Sequence, residues 1–181
     1  MRVFIAVRFS DEIKDKLDET RKELETASKR GNFTRKENYH LTLKFIGEVA
    51  PDEIDDIARC VSFTASRNKA FSFSLSRTGY FLRPNAIIPW VGVDDNGSLK
   101  RLVMNLEREL EKFGYKKERR SFSPHITLGR EVQFYPDKKN FMDKLEFEPM
   151  EVKVEEISLM ESVRMGPKLV YKPLFTASLK R

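Results

Sequence analysis

The chain is poor in the residues from which many catalytic centres are assembled: it holds one cysteine and two histidines among 181 residues. A lone Cys60 excludes an intrachain disulfide and any site built from several thiolates, and it agrees with a reducing compartment. Glycine and proline are sparse, eight of each, and no Gly-, Ser- or Pro-rich stretch divides the chain. A single domain over residues 1–181 is therefore expected. No apolar run approaches the roughly 18 residues that span a bilayer. The apolar opening, Val3 to Phe9, is too short for the core of a secretion signal and is followed at once by charge. The expected protein is soluble and cytoplasmic, with no membrane partner.

What is present is enough apolar material for a core: 40% hydrophobic and 11% aromatic residues, a composition that argues against disorder. Thirty-four Lys and Arg against 28 Asp and Glu leave a net charge of +6. That balance favours an anionic partner, nucleic acid or a phosphorylated molecule, although it also suits many ordinary soluble proteins.

Local patterns place the elements. Residues 3–9 read as a buried strand. Ser10 can cap a helix that buries Ile13, Leu17, Leu24 and Ala27 and stops at Gly31. From Tyr39 to Val49 the pattern alternates, with Leu41, Leu43 and Phe45 on one face and His40, Thr42 and Lys44 on the other. Pro51 opens a second helix through Ile54, Ile57, Val61 and Ala65. Residues 71–76 alternate strictly, Gly79 punctuates them, and 86–93 form a strand that Pro89 assigns to an edge or a bulge. After the turn 94–97, Ser98 caps a third helix marked by Leu99, Leu102, Leu106, Leu110 and Phe113 and closed by Gly114. A strand surrounds His125, residues 138–146 fit a short helix, and 152–160 and 169–177 fit strands. The helix-then-strand order of residues 10–49 recurs in 98–130, which implies two similar lobes.

Both histidines fall in one repeated pattern, His40-Leu41-Thr42-Leu43 and His125-Ile126-Thr127-Leu128. Composition alone would place both of them there on the order of a few times in a million, far below the usual chance rate of a short motif. In a strand, side chains at i and i+2 point the same way, so each His stands beside its Thr while the apolar residues enter the core. If the lobes face each other, two imidazoles and two hydroxyls converge on one cleft. Imidazoles titrate near neutral pH, so one can take a proton while the other gives one. A threonine hydroxyl can donate to a phosphoryl oxygen. A metal reading is weaker, since a catalytic zinc usually has three protein ligands. A nucleophilic serine or cysteine also lacks a recognisable setting, with Cys60 inside a helical pattern.

The paired motif resembles the signature of the two-histidine phosphoesterase superfamily, a duplicated His-x-Thr-x. Further features resemble its RNA 2′,3′-cyclic phosphodiesterase branch, also called 2′-5′ RNA ligase. These are Phe4-Ile5-Ala6, the run His40 to Val49, the block Phe122 to Arg130, and Glu161-Ser162 with Gly166-Pro167 and Tyr171. Gly129 and Val163 depart from the Ala and Leu that the branch often carries. The resemblance implies an α+β fold of two pseudo-symmetric lobes, antiparallel sheets lining a central groove and helices outside. It implies hydrolysis of an RNA-terminal 2′,3′-cyclic phosphate to a 2′-phosphate with no metal and no cofactor, and reverse 2′-5′ ligation as a minor reaction. By the same resemblance His40 is the proton donor, His125 the proton acceptor, and Thr42, Thr127 and Arg130 hold the substrate.

Several residues remain open on the sequence alone. Arg130, three positions after Thr127, reaches the groove only if Gly129 permits a bulge or the strand ends there. Lys116, Lys117, Arg119 and Arg120 could guide an RNA backbone, although basic loops are usually just solvated. Phe45 and Phe122 could stack on a base, but an aromatic in a strand is more often core, and Trp90 reads as core. Glu161 and Ser162 are candidates to buttress the groove. The expected partner is RNA with a 2′,3′-cyclic phosphate end, such as a tRNA fragment, acted on by a monomer. The alternatives are the same chemistry on a small cyclic nucleotide, or an RNA-binding module without catalysis.

Overall fold

A computed structural model describes residues 1–181. In chain order the elements are β1 (Arg2–Arg8), α1 (Asp11–Ala27), β2 (Ser28–Phe33), β3 (His40–Glu48), α2 (Ile54–Arg67), β4 (Phe71–Arg83), β5 (Ala86–Asp94), α3 (Ser98–Glu111), β6 (His125–Thr127), β7 (Gly129–Phe134), β8 (Met150–Val154), β9 (Glu156–Met165) and β10 (Lys168–Ser178). Two antiparallel sheets result, one ordered β10-β9-β1-β3 and the other β2-β7-β5-β4-β8, with β6 also paired to β5. No helix is long and apolar enough to cross a membrane.

The two-lobe repeat is visible in the pairing. β1 runs into α1 and is then met antiparallel by β3, with Arg8 opposite His40 and Ala6 opposite Thr42. In the second lobe β5 runs into α3 and is met antiparallel by β6, with Gly92 opposite His125 and Trp90 opposite Thr127. Each His-x-Thr pair thus sits on the strand that returns after its lobe's helix. β1 is apolar on both faces because each face has a task. Val3, Ile5 and Val7 join the main core, while Phe4 and Ala6 form a small cluster with Met160 that Tyr171 covers.

The helices cover the core faces. α1 buries Ile13, Leu17, Leu24 and Ala27, and α3 buries Leu99, Leu102, Leu106 and Leu110, as their spacing anticipates. Ser10 caps α1 as expected, its side chain accepting from the Ile13 amide. α3 is capped differently: Ser98 is already helical, and the Asp95 carboxylate accepts from the Leu99 amide at 3.0 Å while Gly97 turns with φ of 95°. α3 ends at Glu111, so Phe113 lies outside it and is exposed, and Gly114 turns the chain at φ of 87°.

Other expectations are corrected. α1 ends at Ala27, where the Ser28 hydroxyl donates to the Leu24 carbonyl, and Gly31 lies within β2. A Cβ on Gly31 would stand 2.9 Å from Val132, so this glycine permits β2 to close on β7. Pro51 opens a single 3₁₀ turn, with α2 beginning at Ile54. Gly79 interrupts nothing: β4 continues to Arg83, and the Trp90 ring lies across Gly79 so closely that a Cβ would fall 2.2 Å from Cη2. Trp90 is half-buried rather than fully core. β5 is interior, not an edge; Pro89 stands where its neighbour changes from β7 to β6, a break that needs no proline N–H. Residues 138–146 hold the end of one 3₁₀ turn and the whole of a second, Phe141–Asp143, instead of an α-helix. The expected strand 152–160 is two strands, which part at Glu155 as the chain passes from one sheet to the other.

Candidate active site

The sheets enclose a cleft of about 670 Å³, lined from β1, β3, β6, β7, β9, β10 and the segments preceding each histidine, with no side chain from any α-helix. His40, Thr42, His125, Thr127 and Arg130 all line it, so the five residues singled out in the sequence are brought together.

The two histidines are held alike. His40 Nδ1–H donates to the Asn38 carbonyl at 2.7 Å, and His125 Nδ1–H donates to the Ser123 carbonyl at 2.8 Å, in each case two residues back along the chain. A carbonyl can only accept, so each ring carries a proton on Nδ1, and in the neutral form its Nε2 is the acceptor. The Thr42 hydroxyl donates to His40 Nε2 at 3.0 Å. Aromatic rings brace both imidazoles: Phe4 and Tyr171 lie 4.8 and 5.0 Å from His40, and Phe81 lies 5.0 Å from His125, edge to face.

Burial pushes the His40 pKa below the ordinary histidine value, an effect only partly offset by the Asn38 carbonyl. Burial penalises the cation, so the neutral ring is favoured. An anion beside the ring acts in the opposite sense, favouring the cation. With two histidines in the chain, ring NMR resolves this directly. His40 is expected to titrate below about 6.5 and to move upward when inorganic phosphate is added; a midpoint at or above that value without phosphate would contradict the assignment. Tyr171 shifts the other way, its phenol pushed up by burial against the opposing pull of Arg130 and Arg2. It remains a neutral hydroxyl facing the cleft.

Arg130 reaches the cleft because the strand does break after Thr127. β6 ends there, the Leu128 amide donates to the Pro89 carbonyl at 2.9 Å, and β7 begins at Gly129. Thr34 secures the break, its hydroxyl donating to the Thr127 carbonyl and its amide to that of Leu128, each at 2.9 Å.

β3 departs from simple alternation. Ile5 pairs with Lys44 and Ala6 with Thr42, so Leu43 has no partner on β1. This bulge turns Leu43 and Lys44 inward together and returns Phe45 to the cleft. Lys44, expected on the working face, is buried instead, donating to Glu107 at 3.0 Å and to the Lys116 carbonyl at 2.9 Å. Phe45, expected in the core, is 44% exposed on the cleft wall with the Arg2 guanidinium 5.1 Å from its ring centre. Phe122 packs against the core as expected. The basic loop lines no part of the cleft; Lys117 pairs with Glu111 at 2.8 Å. Ser162 does line it, beside Tyr171 across the β9–β10 pair, whereas Glu161 does not.

Sequence reasoning missed Arg2, Thr34, Asn38, Ser123 and Arg164, all in the lining. Period two offered a signal for two of them. Arg2 lies two residues before Phe4, and Arg164 two after Ser162.

A bilobal α+β fold that presents one His-x-Thr pair from the returning strand of each lobe is a two-histidine phosphoesterase fold. The description of the 2′-5′ RNA ligase superfamily matches residues 9–165. The chain belongs to that superfamily. An RNA 2′,3′-cyclic phosphodiesterase of Thermotoga maritima is 35% identical over 180 residues, covering 97% of this chain and 94% of that protein. One from Archaeoglobus fulgidus is 30% identical over 176 residues, covering 96% and 98%. Among solved structures, a protein of Thermus thermophilus superimposes with a TM-score of 0.80 at 26% identity, covering 99% of this chain and 98% of that one. Escherichia coli LigT complexed with 3′-AMP shares the fold with a TM-score of 0.80 at 24% identity and the same coverage.

Proposed function

We propose that this chain hydrolyses 2′,3′-cyclic phosphate ends of RNA to 2′-phosphates by paired histidine acid–base catalysis, without a metal ion. The observation that carries the proposal is the matched fixing of both imidazoles, each with Nδ1–H on the carbonyl two residues back. Two Nε2 atoms in one cleft can serve opposite sides of a phosphorus atom. The names of the relatives support the substrate class.

In the proposed step His125 Nε2 takes a proton from a water molecule as its oxygen bonds to phosphorus. The bond from phosphorus to O3′ breaks, and His40 Nε2–H delivers a proton to that oxygen. The products are a 3′ hydroxyl and a 2′-phosphate. Thr42, Thr127 and Arg130 hold the phosphoryl oxygens while negative charge builds on them. The depressed affinity of His40 for its proton makes its imidazolium a stronger acid, loaded as the anionic substrate binds. A 5′ hydroxyl in place of the water follows the same path, breaking the bond from phosphorus to O3′ and leaving a 2′-5′ linkage, and water in excess favours hydrolysis.

The test is incubation of a short RNA ending in 2′,3′-cyclic phosphate with purified protein and EDTA. A 2′-phosphorylated product is expected; loss of turnover on chelation, or a 3′-phosphate product, would contradict the proposal. The cleft belongs to one chain, so we further propose that a single-domain monomer in the cytoplasm suffices for the reaction.

A further inference from the structure

Resting on the proposed function, we infer that a groove leading out of the cleft holds the RNA strand on the 5′ side of its terminal nucleotide, with Arg35 on the first phosphodiester there. A terminal nucleotide whose cyclic phosphate lies between the histidines continues only through its 5′ oxygen, so the strand must leave the cleft along some surface. A second cavity of about 740 Å³ opens from the cleft over residues 34–38 and shares with it Thr34, Asn38, Arg130, Arg164, Leu169 and Tyr171.

Its charges suit a polyanion. Arg35, Arg130 and Arg164 form no ion pair in the structure. Two carboxylates on this groove are already engaged, Asp18 and Glu25, both by Arg21. Glu37 is the one acidic lining residue outside any such pair. Leu169, 37% exposed, and Pro167 supply apolar surface on which a base can lie. The other large surface cavity offers the opposite field, with Glu19, Glu23, Asp143, Glu146 and Glu148 in its lining, and it shares no residue with the cleft.

The test measures kcat/KM for cyclic phosphates one, two and four nucleotides long. The expected wild-type result is a preference for the tetranucleotide over the mononucleotide. Arg35→Ala should lower the tetranucleotide-to-mononucleotide ratio by about tenfold, and Glu37→Lys should raise it. The salt dependence of the tetranucleotide rate should also flatten in Arg35→Ala, by about 0.7 in the logarithmic slope for one lost phosphate contact. A ratio near one in the wild type, or a ratio unmoved by both substitutions, would overturn the groove while leaving the chemistry in place. Failure to turn over any of the three substrates would overturn the proposed function and the groove together.

Discussion

Replacing either His40 or His125 with Ala is expected to lower kcat/KM for an RNA 2′,3′-cyclic phosphate by about 10²- to 10⁴-fold. The argument is that each imidazole performs one of two proton transfers in a single step. Removing one leaves its proton to bulk water, and the partner then has little left to coordinate with. The double variant should therefore be hardly slower than the worse single one, because residues acting as a unit are grossly non-additive. His40 packs against Phe4 and Tyr171, so thermal melting of each variant should accompany the kinetics. Activity lost with the melting curve preserved supports the chemical role. Near wild-type activity in either variant would remove that histidine from the reaction, and a non-catalytic RNA-binding role would then account better for the cleft.

The largest expected effect on stability lies behind the cleft, at Lys44. The residue is 5% exposed, and its ammonium is met by Glu107 and the Lys116 carbonyl, with Glu118 at 3.7 Å. The Glu107 carboxylate also accepts from the Glu118 amide at 3.0 Å. One ion pair thus ties β3 of the first lobe to α3 and to the loop that leads to His125. Lys44→Ala strands the half-buried Glu107 carboxylate and should cost about 3–5 kcal/mol, a fall in Tm of roughly 6–20 °C for a chain of this size. Combining Lys44→Met with Glu107→Leu should recover most of that loss, since replacing both partners removes the stranded charge. Thermal denaturation decides it; a double variant no more stable than Lys44→Ala would show that the loop, rather than the charge, carries the effect.

How legible the molecule was depends on the range of the interaction concerned. The histidine and threonine pairs were readable because their spacing of two is a property of a strand alone. The main buried faces of the helices were readable for the same local reason. Lys44 and Phe45 exchanged roles because a bulge at Leu43 depends on how β1 pairs with β3, which no pattern within 40–48 records. β2 was unreadable in Ser28-Lys29-Arg30-Gly31-Asn32-Phe33, a polar segment that becomes a strand only by pairing with β7, as when Phe33 meets Gly129 nearly a hundred residues later. The same pairing decides Arg130: its access depends on the break at Leu128, fastened by Thr34 from the other lobe's chain segment. Helix ends depended on single side chains, with Asp95 rather than Ser98 capping α3 and Ser28 rather than Gly31 closing α1.

The proposed division of labour between the histidines can be tested by changing one atom of the substrate. A cyclic phosphate carrying sulfur in place of O3′ leaves as a thiolate, whose conjugate acid has a pKa of about 8.5, and so needs little help from a general acid. Wild type and His40→Ala should hydrolyse this substrate at similar rates, while His125→Ala, lacking the base that activates water, stays slow. Recovery of His125→Ala with His40→Ala still slow would reverse the roles, and recovery of neither would contradict general acid catalysis by His40.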